Sequence, residues 1–171
     1  LFAYQQEEIE PDIIALAKGL GGGFPVGAVL AKAKVGDAMI HGTHGSTFGG
    51  NPLAMRSANA VLELLLENNF LDNLKKMILY FDRKMDELIK FDLDKSPILV
   101  QKKGSGMLRG FQLVEKVTAG DFGNVARDKG LLLVGAAENT IRLLPPLNTS
   151  KVEVDQAFEI LQNVILEMKK N

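Results

Sequence analysis

Three clusters of residues in this 171-residue sequence have types and spacings that could do chemistry. The first is Lys18, which ends the apolar run at 12–17 (DIIALA) and is followed at once by Gly19, Gly21, Gly22 and Gly23. An amine held in an apolar pocket has its charged form disfavoured. Its pKa falls, and it becomes a usable nucleophile toward carbonyl compounds, with which amines form Schiff bases. Glycines beside it would let backbone approach a flat ligand closely. A solvated lysine opening a loop is the plainer reading, and spacing alone favours it. The second cluster is 45–51 (GSTFGGN), where the hydroxyls of Ser46 and Thr47 stand just before a helix start at Asn51-Pro52. Donors near a helix N-terminus suit an anion such as phosphate, although an ordinary capped loop has the same composition. The third is Arg142 in NTIRLLPPL. A guanidinium inside an apolar strand must be solvated or paired, and its planar fork matches a carboxylate of either a protein side chain or a substrate. Arg109, in GMLRGF, leaves the same two options open.

Other chemistries fit poorly. A phosphate-binding loop of the nucleotide type needs its lysine after the glycines, and here Lys18 precedes them. The dinucleotide fingerprint fails because the sixth position from Gly19 or Gly21 is Phe24 or Val26. His41 and His44 are the only histidines, with no cysteine in the chain and no obvious carboxylate cluster nearby, so a metal centre is not expected. Zero cysteines also exclude disulfides and thiol nucleophiles. With 20 Lys+Arg against 21 Asp+Glu, the net charge of −1 provides no basic excess for a nucleic-acid backbone. No apolar run approaches the ~20 residues of a membrane span. A cytoplasmic location is the expectation from zero cysteines and from the acidic, polar opening LFAYQQEEIEPD.

The elements that must position these residues can be read from pattern. Residues 12–17 and 27–32 read as strands, joined by a glycine-rich link too short for a helical crossover and therefore antiparallel if adjacent. One helical turn is placed near 35–40, and 41–50 is loop. Asn51 and Pro52 open a helix to about Glu67, so apolar (Val61, Leu62, Leu64, Leu65, Leu66) that it should be largely buried. After Asn68-Asn69, a helix at 71–90 shows one stripe of Leu71, Leu74, Ile78, Phe81, Met85 and Leu88. Strands follow near 98–102 and 107–114, then a helix from Thr118 to near Gly130, then strands at 131–134 and 140–143. Ser150 and Glu153 form a capping box for a last helix over 151–169, a simpler use for the hydroxyls of Asn148-Thr149-Ser150 than glycosylation. Residues 71–171 thus read as a small α+β domain with its own core.

Taken together, PDIIALAKGLGGGFPVGAVLA, HGSTFGGNPLA and IRLLPPLN resemble the class III pyridoxal-phosphate aminotransferases over essentially the whole chain. The resemblance implies an α/β chain of fold type I. Residues 1–70 would be the end of the large cofactor-binding domain with its connecting helix, and 71–171 the small domain. It implies pyridoxal 5′-phosphate as cofactor, an amino acid and a 2-oxo acid as substrates, and a homodimer. Lys18 would carry the cofactor and then shuttle a proton between substrate Cα and cofactor C4′. Ser46 and Thr47 would bind the cofactor phosphate of the neighbouring subunit, and Arg142 the substrate α-carboxylate. The family's ring-nitrogen Asp, stacking aromatic and phosphate-binding turn lie upstream of its lysine. None of the 17 residues before Lys18 matches them, so the isolated chain is expected to be a catalytically incomplete C-terminal part.

Overall fold

The computed structural model describes residues 1–170, which form two compact units, Leu1–Leu71 and Asp72 onward. In the first, β1 (Ile13–Leu16) and β2 (Ala28–Ala31) pair antiparallel, from Ile13 opposite Ala31 to Leu16 opposite Ala28. A short 3-10 helix, Lys18–Gly21, begins the turn between them. Beyond β2 come α1 (Ala33–Gly36) and α2 (Pro52–Leu66). Asn51 caps α2, its Oδ1 accepting the Ala54 N–H at 2.9 Å, and Pro52 takes the first helical position, where no N–H is needed.

Contrary to expectation, α2 is not largely buried. Ala54 and Ala58 are its buried residues, whereas Leu53, Leu64 and Leu66 are more than half exposed. The reason is a shortage of cover: a two-stranded sheet and short helices are all that this unit offers. What α2 buries is a narrow stripe of small residues. Ala54, Ser57, Ala58 and Val61 recur at helical spacing, and two of them meet the glycine turn. Ser57 Oγ donates to the Gly21 carbonyl at 2.7 Å. A Cβ on Gly22 would lie 2.9 Å from Val61 Cγ2.

The second unit holds most of α3 (Phe70–Asp92) and a sheet of β3 (Leu99–Ser105), β4 (Leu108–Leu113), β5 (Val134–Ala136) and β6 (Thr140–Leu143), with α4 (Ala119–Asp128) and α5 (Lys151–Met168). Strand order is β3-β4-β6-β5, every pair antiparallel. Alternation assigns the faces: Phe111 and Leu113 of β4 and Ile141 and Leu143 of β6 enter the core, and Arg142 does not. Phe81, Met85 and Leu88 of α3, Phe122 of α4, and Phe158, Leu161 and Ile165 of α5 complete it. Phe81 meets Phe158 edge to face at 5.4 Å.

The predicted caps form. Thr118 Oγ1 accepts from the Asp121 N–H, and Ser150 and Glu153 exchange their reciprocal bonds. The strand expected at 131–134 starts only at Val134. Gly130, at φ +89°, closes α4, and the Leu131 N–H is spent on the Ala126 carbonyl at 2.9 Å, so this stretch caps a helix before it can pair in a sheet. Asp92 ties both ends of the unit. Its Oδ2 accepts the Ile98 and Leu99 N–H groups at 2.8 and 2.6 Å, and its Oδ1 stands 2.7 Å from Lys169 Nζ, an ion pair without hydrogen-bond alignment.

Candidate functional site

Lys18 stands one residue beyond β1, after Ala17, and has a left-handed backbone, φ +53°. For a residue with a Cβ this costs about 1–2 kcal/mol, so the surroundings must enforce it. They do so through successive tight turns. Leu20, Gly22 and Phe24 donate to the carbonyls of Ala17, Gly19 and Gly21 at 3.2, 3.1 and 3.0 Å. Gly21 is buried, and a Cβ there would come within 2.7 Å of Val26 Cγ1. Two of the glycines therefore serve packing: Gly21 against Val26 and Gly22 against α2. An added Cβ on Gly19 or Gly23 meets nothing within 4 Å, so the space for close approach of a flat ligand lies at those two. Among the described residues, no apolar pocket of the kind envisaged surrounds Lys18. The side chain is exposed, because no element of its unit lies over the end of β1.

Ser46 and Thr47 are exposed in the loop before α2. Gly49 donates to the Ser46 carbonyl at 3.2 Å, and Gly50 turns the chain at φ +70°. The start of α2 offers fewer amides to an anion than its sequence suggests. Pro52 has no N–H, and Asn51 already takes that of Ala54. Anion binding here would rest on the two hydroxyls. Ser46 also borders an open cavity of about 230 Å³ with Pro25, Gly27, Phe48, Gly50 and Met55; Thr47 and Lys18 do not line it.

In the second unit the two arginines part company. The Arg109 guanidinium pairs with the Asp82 carboxylate and donates to the Gly104 carbonyl at 3.2 Å. Lys102 completes this network, 3.0 Å from Asp82 and 2.7 Å from Asp86. Arg109 is thus a structural ion-pair member. The signal that could have revealed it is the i, i+4 carboxylate pair Asp82 and Asp86 on α3. Arg142, central in β6, is exposed and has no such partner among the described residues. Asp12 is likewise accounted for structurally: it pairs with Lys32 at 3.3 Å, and hydrogen bonding to Asp12 raises the Lys32 pKa.

Four predicted side chains, those of Lys18, Ser46, Thr47 and Arg142, share one property: none has a hydrogen-bond or ion-pair partner among the described residues. An amine, two hydroxyls and a guanidinium are the groups that an aldehyde, a phosphate and a carboxylate require.

The sequence profile of the family described as aminotransferase class-III matches residues 1–165. The chain belongs to that family. It is 43% identical over 162 residues to acetylornithine aminotransferase 1 of Bradyrhizobium diazoefficiens, covering 95% of this chain and 39% of that protein. It is 40% identical over 171 residues to the acetylornithine aminotransferase of Oceanobacillus iheyensis, covering 100% of this chain and 41% of that one. Among solved structures, acetylornithine aminotransferase from Elizabethkingia anophelis superposes with a TM-score of 0.83 at 33% identity, over 96% of this chain and 41% of that one. Ornithine delta-aminotransferase of Plasmodium falciparum gives 0.87 at 29% identity, over 98% and 42%. This class-III aminotransferase chain thus spans about two fifths of the length of the relatives it matches. Its mixed α/β architecture is that of its structural neighbours, and the family is pyridoxal-phosphate-dependent. The unpartnered amine of Lys18 and hydroxyls of Ser46 and Thr47 fit that cofactor's aldehyde and phosphate.

Proposed function

We propose that the chain acts as part of a pyridoxal-phosphate-dependent aminotransferase that exchanges an amino group between N-acetylornithine, or a related ω-amino substrate, and 2-oxoglutarate, in arginine biosynthesis. The observation that carries this reading is Lys18: an unpartnered amine at a strand end, on backbone held left-handed by a turn that α2 anchors. Backbone strain of this kind concentrates at functional positions. When bound, the cofactor supplies an aldehyde and an electron-withdrawing ring that stabilises negative charge at the substrate Cα. Lys18 Nζ would hold the cofactor, and its amine would move the proton to and from that Cα. The hydroxyls of Ser46 and Thr47 donate to the phosphate of the cofactor in the neighbouring subunit of a homodimer. Arg142 holds the α-carboxylate by bidentate hydrogen bonds, orienting the Cα proton. In this reading residues 1–70 close the large cofactor-binding domain, 71–171 form the small domain, and the enzyme works in the cytoplasm.

Identities of 40% and above to acetylornithine aminotransferases support the amino donor named first, and the ornithine enzymes among the structural neighbours make ornithine the second reading. The test is to add pyridoxal phosphate to the chain, reduce with borohydride and map the labelled peptide. Label concentrated on Lys18, and abolished in Lys18→Ala, is the expected result. Label spread evenly over surface lysines would sink the assignment of Lys18.

A further inference from the structure

The glycine turn that carries Lys18 is closed from within and tied down from outside at one polar point. Leu20, Gly22 and Phe24 donate to the carbonyls of Ala17, Gly19 and Gly21, which fixes the shape of the turn. Its position needs a contact from elsewhere. Among the described residues, the stretch 17–27 receives a single side-chain hydrogen bond, from Ser57 Oγ to the Gly21 carbonyl at 2.7 Å. That carbonyl also accepts the Phe24 N–H at 3.0 Å, so both its lone pairs are used and the Gly21–Gly22 peptide is held from two sides.

A helical serine commonly turns its hydroxyl back onto the carbonyl four residues earlier. The Ser57 hydroxyl instead reaches a residue 36 positions away. One helical turn further on, Val61 Cγ2 stands 2.9 Å from where a Gly22 Cβ would be. Residues i and i+4 share a helix face, so Ser57 and Val61 grip consecutive residues of the turn, one by a hydrogen bond and one by contact. The consequence falls on Lys18, which belongs to the same 3-10 helix as Gly21. Its φ of +53° is a conformation that a residue with a Cβ abandons once its surroundings permit. A Gly21 free to move would let Lys18 relax and swing its Cα–Cβ bond to a new direction.

We propose that Ser57 is a positioning residue for Lys18: its hydroxyl, acting through the Gly21 carbonyl, holds the left-handed backbone that aims the Lys18 amine. The proposal rests on the reading of Lys18 as the amine that carries the cofactor. It gives α2 a second use. The helix start follows the loop with Ser46 and Thr47, and a residue in its second turn sets the direction of the lysine. No local pattern marks Ser57 for this role, because its acceptor comes from the far side of β2 in the chain.

The test uses the full 171-residue chain with pyridoxal phosphate, borohydride reduction and peptide mapping, and reads the label on Lys18 as a share of that on all lysines. A second readout needs no cofactor: the Cα and Cβ chemical shifts of Lys18, which report its backbone conformation. Ser57→Ala should lower the Lys18 share by about two- to tenfold, the net worth of one hydrogen bond, and move those shifts away from left-handed values. Alanine is the better helix former, so α2 itself is not weakened. Ser57→Thr should restore both readouts, and Ser57→Val, with the shape of threonine but no hydroxyl, should restore neither. If Ser57→Ala keeps the wild-type share or the wild-type shifts, if Ser57→Thr fails to restore them, or if Ser57→Val restores them as well, the role of Ser57 is wrong and the reading of Lys18 survives. If Lys18 in the wild type takes no more label than the other lysines, that reading falls and the role of Ser57 falls with it.

Discussion

Among the hydrophobic side chains of residues 1–71, Ala54 and Ala58 alone are buried, whereas from Asp72 onward seventeen buried residues form one cluster. Yet Lys18, Ser46 and Thr47 all lie in the first region. The second contributes Arg142 on the rim of a well-packed core. Loops on a poorly buried segment hold shape through turns and caps, not through packing, and such regions open at lower free energy. Strands β1 and β2 make the point. Ile13, Val29 and Leu30 are more than half exposed, and a two-stranded sheet is marginal in water on its own.

Core deletions are the strongest way to break this contrast. Phe111→Ala removes a fully buried ring from the central strand β4 and should cost about 3–5 kcal/mol in urea unfolding. Val61→Ala, on the face of α2 toward the glycine turn, should cost less than about 1 kcal/mol. Equal losses would mean that the first region has a core after all. Hydrogen exchange sharpens the same comparison: amides of β4 and β6 should be protected well beyond those of β1 and β2, and the reverse order would refute it.

Next in size is Asp92→Ala. It leaves the buried Ile98 and Leu99 N–H groups without an acceptor and Lys169 without its buried partner, at a cost of about 3 kcal/mol by thermal or chemical denaturation. Ser150→Ala removes the α5 cap and should cost about 1 kcal/mol, read by the same method. The smallest effect is the pH dependence of the clamp at the end of α5. Hydrogen bonding to Lys169 lowers the Asp94 pKa, so this contribution is complete above the unfolded value of about 3.9 and is lost as pH falls through the lower folded value. For Lys169, burial opposes the charge but pairing with the Asp92 and Asp94 carboxylates prevails and raises the pKa. Its contribution is complete below about 10.4 and is lost as pH rises through the raised folded value. Asp94→Asn should flatten the acid limb of a stability–pH curve measured by denaturant midpoint, and an unchanged limb would remove Asp94 from the account.

Much of the local structure is legible in the residues themselves. The strand–glycine turn–strand unit, the Asn51 cap, the α3 stripe and the Ser150–Glu153 box all formed where their patterns stand. Turns, caps and periodicity act between residues a few positions apart, so one sequence window contains the whole interaction. The stretch at 131–133 shows the limit: one backbone N–H cannot both cap α4 and pair in a sheet, and the pattern does not say which use prevails.

What tertiary structure alone decided were choices between residues of the same type. Arg109 and Arg142 look alike in sequence; α3 brings Asp82 against one and no carboxylate against the other. The apolar run of α2 looks like a core helix, but burial needs neighbours, and this chain supplies few there. Gly21 and Gly22 look like room for a ligand, and Val26 and Val61 occupy that room. Composition and spacing set which chemistry was available. Long-range packing decided which groups stayed free to perform it, because pairing and exclusion depend on what the fold places within a few ångströms, whatever the separation along the chain.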